Sequence, residues 1–222
     1  MKNKQKNIFI ASEGDAWFDR NHETVNRRNY DCTDPIVQAV DHCLENSVKS
    51  RQNSGGLTLL EIGCGEGRRL QWLQEKRKLQ CSGVEPSPKA VMLAKSRGIE
   101  AENGTADDLP FLDGIFDFVV FGFCLYLCDR EDLFKIAHEA DRVLKKTGWL
   151  IIHDFFSNTL TDKPYHHLEG IRSYKMDYRK LWDWNPHYEC YSHQISCHGT
   201  SLLCDDPDEW VATSILRKRI DL

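Results

Sequence analysis

The sequence has no CxxC pair among its nine cysteines, no HExxH or HxxxH spacing among its nine histidines, and no long basic run. Each absence excludes a class of protein. Cysteines that are odd in number and scattered (Cys32, Cys43, Cys64, Cys81, Cys124, Cys128, Cys190, Cys197, Cys204) make no disulfide framework. Without an apolar leader, they fit reduced thiols in a cytoplasm. Cys124 and Cys128, the closest pair, have no further ligand at zinc spacing and read as small buried hydrophobes. No metal is expected. With 29 Lys and Arg against 34 Asp and Glu, the net charge of -5 offers no footprint for nucleic acid or an anionic membrane. No apolar run is long enough to span a bilayer. The partner expected from these exclusions is a small-molecule substrate, with no nucleic acid and no membrane; they say nothing of oligomeric state.

What is present is enough for one core. A chain of 222 residues with 41% hydrophobic content supports one sizeable domain and not two. Within it, 1–54 reads as an N-terminal helical cap that ends in the polar loop Ser47–Gly56. The central segment 55–156 alternates strand and helix. Leu57–Ile62 is an apolar run suited to a strand buried on both faces, a helix follows from Arg68 to about Lys78, and Gln80–Val84 is the next strand. Ser87 as N-cap and Pro88 at the first helical position start a second helix with Ala90, Val91, Leu93 and Ala94 inward. Ile99–Glu102 and Phe116–Phe121 are further strands. Asp129 is placed to cap a helix carrying Leu133, Ile136, Ala137, Ala140, Val143 and Leu144, closed by Lys145, Lys146 and Gly148. Trp149–Asp154 is a fifth strand. The alternation predicts an α/β fold with a doubly wound, mostly parallel sheet. Segment 157–186 reads as an insertion, and 187–222 as an antiparallel hairpin at one sheet edge.

The chemistry concentrates at the first strand-to-helix turn. Gly63, Gly65 and Gly67 remove side chains where backbone turns tightly beside a ligand, and the next helix offers unpaired N–H groups. Glu85, at the tip of the second strand, is placed to accept two hydrogen bonds from a ribose diol. A glycine turn followed by an acid also occurs in dinucleotide-binding domains. That fingerprint wants its third glycine at position 68, which is Arg68 here.

Glu61-Ile62-Gly63-Cys64-Gly65-Glu66-Gly67 resembles the first motif of class I S-adenosylmethionine-dependent methyltransferases, and Val84-Glu85-Pro86-Ser87 resembles their ribose-binding strand end. Gly104-Thr105-Ala106-Asp107-Asp108-Leu109-Pro110-Phe111 is similar to the adenine segment, and Asp113–Val120 to the fourth-strand motif. The resemblance implies a Rossmann-like seven-stranded sheet with an antiparallel C-terminal strand, S-adenosyl-L-methionine as cofactor and S-adenosyl-L-homocysteine as product. It implies cofactor-binding roles for Glu61, Gly63, Cys64, Gly65, Gly67, Glu85, Pro86, Thr105, Ala106, Asp107, Phe121 and Phe123. Where the family often has Asp, this chain has Thr105, so the adenine amino contact falls to Asp107 or to backbone.

Methyl transfer needs alignment and water exclusion rather than a nucleophilic side chain, and a hydroxyl acceptor adds a general base near the strand ends. His153, Asp154 and Tyr126 are the candidates, each also readable as a structural hydrogen-bonding residue. Trp17, Phe18, His22 and Tyr174 are expected to bind the substrate: Trp17 and Phe18 as a lid over the cofactor mouth or as an amphipathic helix packed on the sheet, His22 as a further option for the base, and Tyr174 in the wall of the acceptor pocket. The expected activity is O-methylation of a polar metabolite or sugar. Competing readings are a protein side-chain methyltransferase, a dinucleotide-dependent oxidoreductase and an inactive cofactor-binding module.

Overall fold

The computed structural model describes residues 4–26, 30–46 and 56–219, so most of the expected Ser47–Gly56 loop lies outside the described residues. The strands are β1 (Thr58–Ile62), β2 (Gln80–Glu85), β3 (Glu100–Asn103), β4 (Phe116–Gly122), β5 (Leu144–Phe155), β6 (Thr161–Pro164), β7 (Arg172–Lys175), β8 (Tyr188–Cys197) and β9 (Trp210–Lys218). Seven of them form one sheet in the order β3-β2-β1-β4-β5-β9-β8. β1 to β5 pair in parallel, whereas β9 runs antiparallel to both β5 and β8. The sequence expectation of a mostly parallel sheet closed by an antiparallel strand is what the chain forms.

The helices are α1 (Gln5–Ile8), α2 (Gly14–Asn26), α3 (Pro35–Asn46), α4 (Arg68–Arg77), α5 (Pro88–Ser96), α6 (Leu133–Val143) and α7 (Lys180–Asp183). A π-helical stretch, Phe9–Glu13, joins α1 to α2. Because β1, β4 and β5 are apolar at successive positions, both sheet faces bury side chains. On one face Val119, Phe121 and Ile152 meet Leu133, Ile136 and Ala140 of α6 and Trp182 of α7. On the other, Phe118, Val120 and Ile151 meet Ile36 and Val40 of α3, Leu70 of α4 and Val91 of α5. The sheet is thereby sandwiched, and the carboxyl ends of β1, β2 and β4 meet at one edge.

Ser87 caps α5 as its sequence signal predicts, accepting the Ala90 N–H at 3.1 Å, with Pro88 following. Two expectations are corrected. Asp129 does not cap α6, because a single 3₁₀ turn, Arg130–Asp132, intervenes. Its carboxylate accepts the Gln5 and Lys6 backbone N–H groups at 3.1 Å instead, so it caps α1 from far along the chain. Lys145, Lys146 and Gly148 do not close α6 either. The helix ends at Val143 and β5 begins at Leu144, crossing a register shift opposite Phe116–Phe118 and a left-handed Thr147 (φ 67°).

Candidate active site

The turn after β1 is built by three glycines with positive φ: Gly63 at 77°, Gly65 at 53° and Gly67 at 72°. They have different reasons to be glycine. A Cβ at Gly63 would lie 2.8 Å from Cys124 Cβ, and one at Gly67 would lie 3.1 Å from both Ala94 and Ile99, so these two serve packing. A Cβ at Gly65 would meet nothing within 4 Å. It faces the open cavity. Glu85 leans across this turn: one carboxylate oxygen accepts the Gly65 N–H and the other the Ser87 N–H, both at 3.0 Å. Burial pushes its carboxyl up to about 7, against the pull of those two bonds.

Glu61, on β1, is 1% exposed and is also pushed up to about 7 by burial, with Arg69 acting in the opposite direction. Arg69 Nη1, from the first turn of α4, donates to Glu61 Oε1. The other oxygen, Glu61 Oε2, is buried with no hydrogen-bond partner within the protein.

These groups line a cavity of about 840 Å³. Its floor is Gly63 and Gly65 of the turn with Glu61, Glu85 and Pro86, and Cys64 beside them, whereas Gly67 stands off the lining. Its roof is α2, which presents Trp17, Phe18 and His22, and the two-stranded β6–β7 ribbon, which presents Tyr165 and Tyr174. The roof is tied down at several points. Asp15 of α2 accepts the Ser87 hydroxyl at 2.6 Å, and Arg20 donates to the Tyr165 hydroxyl at 3.2 Å. The Gln5 amide bridges to the ribbon, accepting the Arg172 N–H at 2.7 Å and donating to its carbonyl at 3.1 Å.

The far wall is aromatic. Phe123 holds a left-handed backbone (φ 54°) with its N–H on the His153 carbonyl at 2.8 Å, and its ring contacts Phe155 and His198 at centroid distances of 5.3 and 5.5 Å. Tyr126 packs on Phe155 at 5.1 Å, and burial raises its hydroxyl well above the usual range.

Of the catalytic candidates, Tyr126 lines the cavity, whereas His153 and Asp154 are buried behind its wall. The His153 ring lies 4.6 Å from that of Phe123, and its Nδ1 is 2.8 Å from Thr213 Oγ1. Asp154 accepts the N–H groups of Cys124, Leu125 and Phe155 at 3.1, 2.8 and 2.8 Å, and burial pushes its carboxyl up to about 7. Phe121 is fully buried in the core, 5.8 Å from Trp182, and does not reach the cavity. Thr105, Ala106 and Asp107 also stand off its lining. Asp107 is held by Thr105 Oγ1 at 2.7 Å, by Lys135 and by Lys6 of α1, and of these Lys6 does line the cavity.

Lining residues absent from the sequence expectations include Lys6, Phe9, Tyr30, Arg69, Phe155 and His198. One signal was available. Asp34-Pro35 repeats the cap-and-proline pattern of Ser87-Pro88, and Asp34 Oδ1 accepts the Ile36 and Val37 N–H groups at 3.0 Å. Arg69 and His198 carry no local signal, since their placement depends on distant partners. Among the described residues, no helix is long and apolar enough to cross a membrane, and no group of three potential metal ligands is gathered.

A methyltransferase-domain family model matches residues 60–152. An uncharacterized protein of Methanocaldococcus jannaschii, MJ1123, is 29% identical over 161 residues, covering 72% of this chain and 66% of its own length. Ajmaline N-methyltransferase of Rauvolfia serpentina is 33% identical over 103 residues, covering 42% of this chain and 34% of its own. The chain thus spans between about a third and two thirds of these relatives. Among solved structures, 1,6-didemethyltoxoflavin-N1-methyltransferase of Burkholderia thailandensis, determined with S-adenosylhomocysteine bound, matches 97% of this chain and 87% of its own. Its TM-score is 0.67 at 13% identity. The stretch that matches the methyltransferase-domain model forms the glycine turn, the Glu85 tip and most of β1 to β5, and the chain as a whole has the fold of that solved methyltransferase.

Proposed function

We propose that the protein binds S-adenosylmethionine in this cavity and transfers its methyl group to a polar small-molecule acceptor, at oxygen. The residues fit that cofactor: Glu61 lines the cavity, and its Oε2 is a buried carboxylate oxygen with no hydrogen-bond partner among the described residues, which an ammonium group would satisfy. Gly65 leaves the space beside it open, and Glu85 is in reach of a diol once its bond to the Gly65 N–H is exchanged. Gly63, Cys64, Pro86 and Phe123 complete that side, Gly67 supports the turn by packing on Ala94 and Ile99, and Thr105 and Asp107 act through Lys6 of α1.

When bound, the cofactor supplies a methyl carbon activated by positive sulfur. The protein's own task is to align the acceptor and exclude water. Trp17, Phe18 and Tyr174 close the roof, and the Phe123–Phe155 wall orients a ring or hydrocarbon face of the acceptor. Tyr126, held protonated by burial, donates a hydrogen bond to the acceptor rather than removing its proton. His198, exposed at the rim beside Phe123, takes that proton, while His153 and Asp154 hold Phe123 and the turn after β4 in place.

The observation that carries this reading is the roofed cavity itself. Its volume lies within the range of small-ligand pockets, and α2 and the β6–β7 segment both contribute side chains to its lining. Calorimetry with S-adenosylmethionine, S-adenosylhomocysteine and NAD is expected to show binding of the first two only. Methyl-tritiated cofactor supplied with a metabolite filtrate and, separately, with a protein fraction should label an ether or ester in the filtrate. Label confined to the protein fraction, or binding of NAD alone, would overturn the proposal.

A further inference from the structure

Glu61 belongs to a charged trio that the glycine motif does not contain. Arg69 donates through Nη1 to Glu61 Oε1, and through Nε and Nη2 to the two oxygens of Asp34 at 3.1 and 3.2 Å. Side-chain exposure is 12% for Arg69, 11% for Asp34 and 2% for Glu61. The Tyr30 ring covers the guanidinium, with Cζ 5.1 Å from its centroid. The trio also presses on bare backbone, since a Cβ at Gly122 would fall 2.8 Å from Glu61 Oε1 and 3.2 Å from Arg69 Nη1. Two carboxylates share one cation, so the ionised trio carries one uncompensated negative charge in a poorly solvated place. That charge is costly unless a cation joins it. Within the trio, among the described residues, the unmade bond is at Glu61 Oε2, and Glu61 is one of the residues that line the cavity.

From this arrangement we infer that Arg69 and Asp34 are positioning residues for the cofactor's amino-acid tail: they commit one oxygen of Glu61 and present the other, making the floor selective for a ligand that carries an ammonium group. The inference rests on the proposed cofactor reading and deepens it. Asp34 ties the clamp to the cap, because the oxygen that accepts from Arg69 Nε also caps α3. Binding of the tail and seating of the N-terminal cap are thus coupled through one guanidinium. Arg69 lies in the first turn of the helix that follows the glycines, so the clamp is joined directly to the glycine turn.

The test separates the tail from the nucleoside. S-adenosylhomocysteine carries the amino-acid tail, and 5′-methylthioadenosine lacks it. Titration calorimetry on the wild type is expected to show binding of both. In Arg69→Gln the affinity for S-adenosylhomocysteine should fall by about tenfold or more, while that for 5′-methylthioadenosine stays within about twofold. Arg69→Lys, which keeps the charge but not the fork, should recover part of the loss. A pH series adds a readout that mere loss of structure would not move. Glu61 is faced by Arg69 from α4, Asp34 ahead of α3, Glu85 from β2 and the thiols of Cys64, Cys81 and Cys124. Removing the one cation among them should move the rise of S-adenosylhomocysteine affinity to higher pH. Should Arg69→Gln fail to fold, Asp34→Asn, which keeps the cap's acceptor oxygen, makes the same comparison, with a tail-specific loss of about threefold or more expected. Equal losses for both ligands, or none, would overturn the inference alone. A wild type that binds neither would overturn the cofactor reading and the inference with it.

Discussion

Gly65 and Glu85 show how much depends on single residues at the β1 turn. At φ 53° any L side chain at position 65 costs about 1–2 kcal/mol, and the Cβ points into open cavity rather than into protein. Gly65→Val should therefore leave the far-ultraviolet circular dichroism spectrum intact and abolish S-adenosylhomocysteine binding; retained binding would remove the turn from the site. Glu85→Ala deletes an acceptor that already holds two backbone N–H groups at 3.0 Å. Cofactor affinity should drop by about 1–3 kcal/mol, measured by calorimetry, and an unchanged value would place the ribose elsewhere. Tyr126 and His153 mark the limit of reading roles from strand ends. Both were expected near the chemistry, but only the tyrosine reaches the cavity, because Phe123 adopts a left-handed backbone and puts its ring over His153.

The secondary-structure elements were legible where they are apolar and regular. Leu57–Ile62 and Gln80–Val84 are realised as Thr58–Ile62 and Gln80–Glu85, and the Ser87-Pro88 start is where its pattern places it. The ribbon of β6 and β7 was not legible. Thr161-Asp162-Lys163-Pro164 has no alternating apolar face, and Arg172 is also held by the side chain of Gln5, 167 residues earlier. α1, a single turn, is likewise held from outside, by the Asp129 carboxylate on Gln5 and Lys6 and by Lys4 on Asp132 at 2.7 Å. Asp129→Ala should leave α6 in place and loosen this corner of the roof by about 1 kcal/mol, releasing S-adenosylhomocysteine roughly fivefold faster in stopped-flow displacement. An unchanged release rate would mean that α1 does not gate the cavity.

At the scale of the molecule, the two-faced sheet supplies stability and the strand ends supply the site. Trp182 is 2% exposed, packed between Phe121 and Tyr188 at 5.8 and 6.5 Å, so Trp182→Ala should cost about 3–5 kcal/mol in urea denaturation. A loss under 1 kcal/mol would show that α7 is dispensable. The site in turn weakens the fold as pH rises. Glu61, Glu85 and Asp154 titrate near 7 when folded and well below that when unfolded, so between those values the folded state holds more protons. Stability is lost as they ionise, with His193, lowered by burial, opposing in the same range. Thermal midpoints should fall from about pH 5 to 7 and level off above that, and the gain on adding S-adenosylhomocysteine should be larger at pH 8, where the proposed contacts of Glu61 and Glu85 are ionised. Flat profiles would contradict the burial of these carboxyls.

The glycine turn, the acid at the end of β2, the strand and helix alternation and the closing hairpin were all determined by the sequence alone. Each is a local matter of which side chains a backbone conformation tolerates and which face a period of two or 3.6 buries. The tertiary structure decided which side chains share the cavity. Asp34 and Arg69, 35 residues apart, meet on Glu61, and Lys6 reaches Asp107 across 101 residues. Local periodicity assigns a residue to a face but not to its neighbour across a gap. For charged groups the neighbour decides whether burial leaves a paired ion or an open acceptor waiting for a ligand.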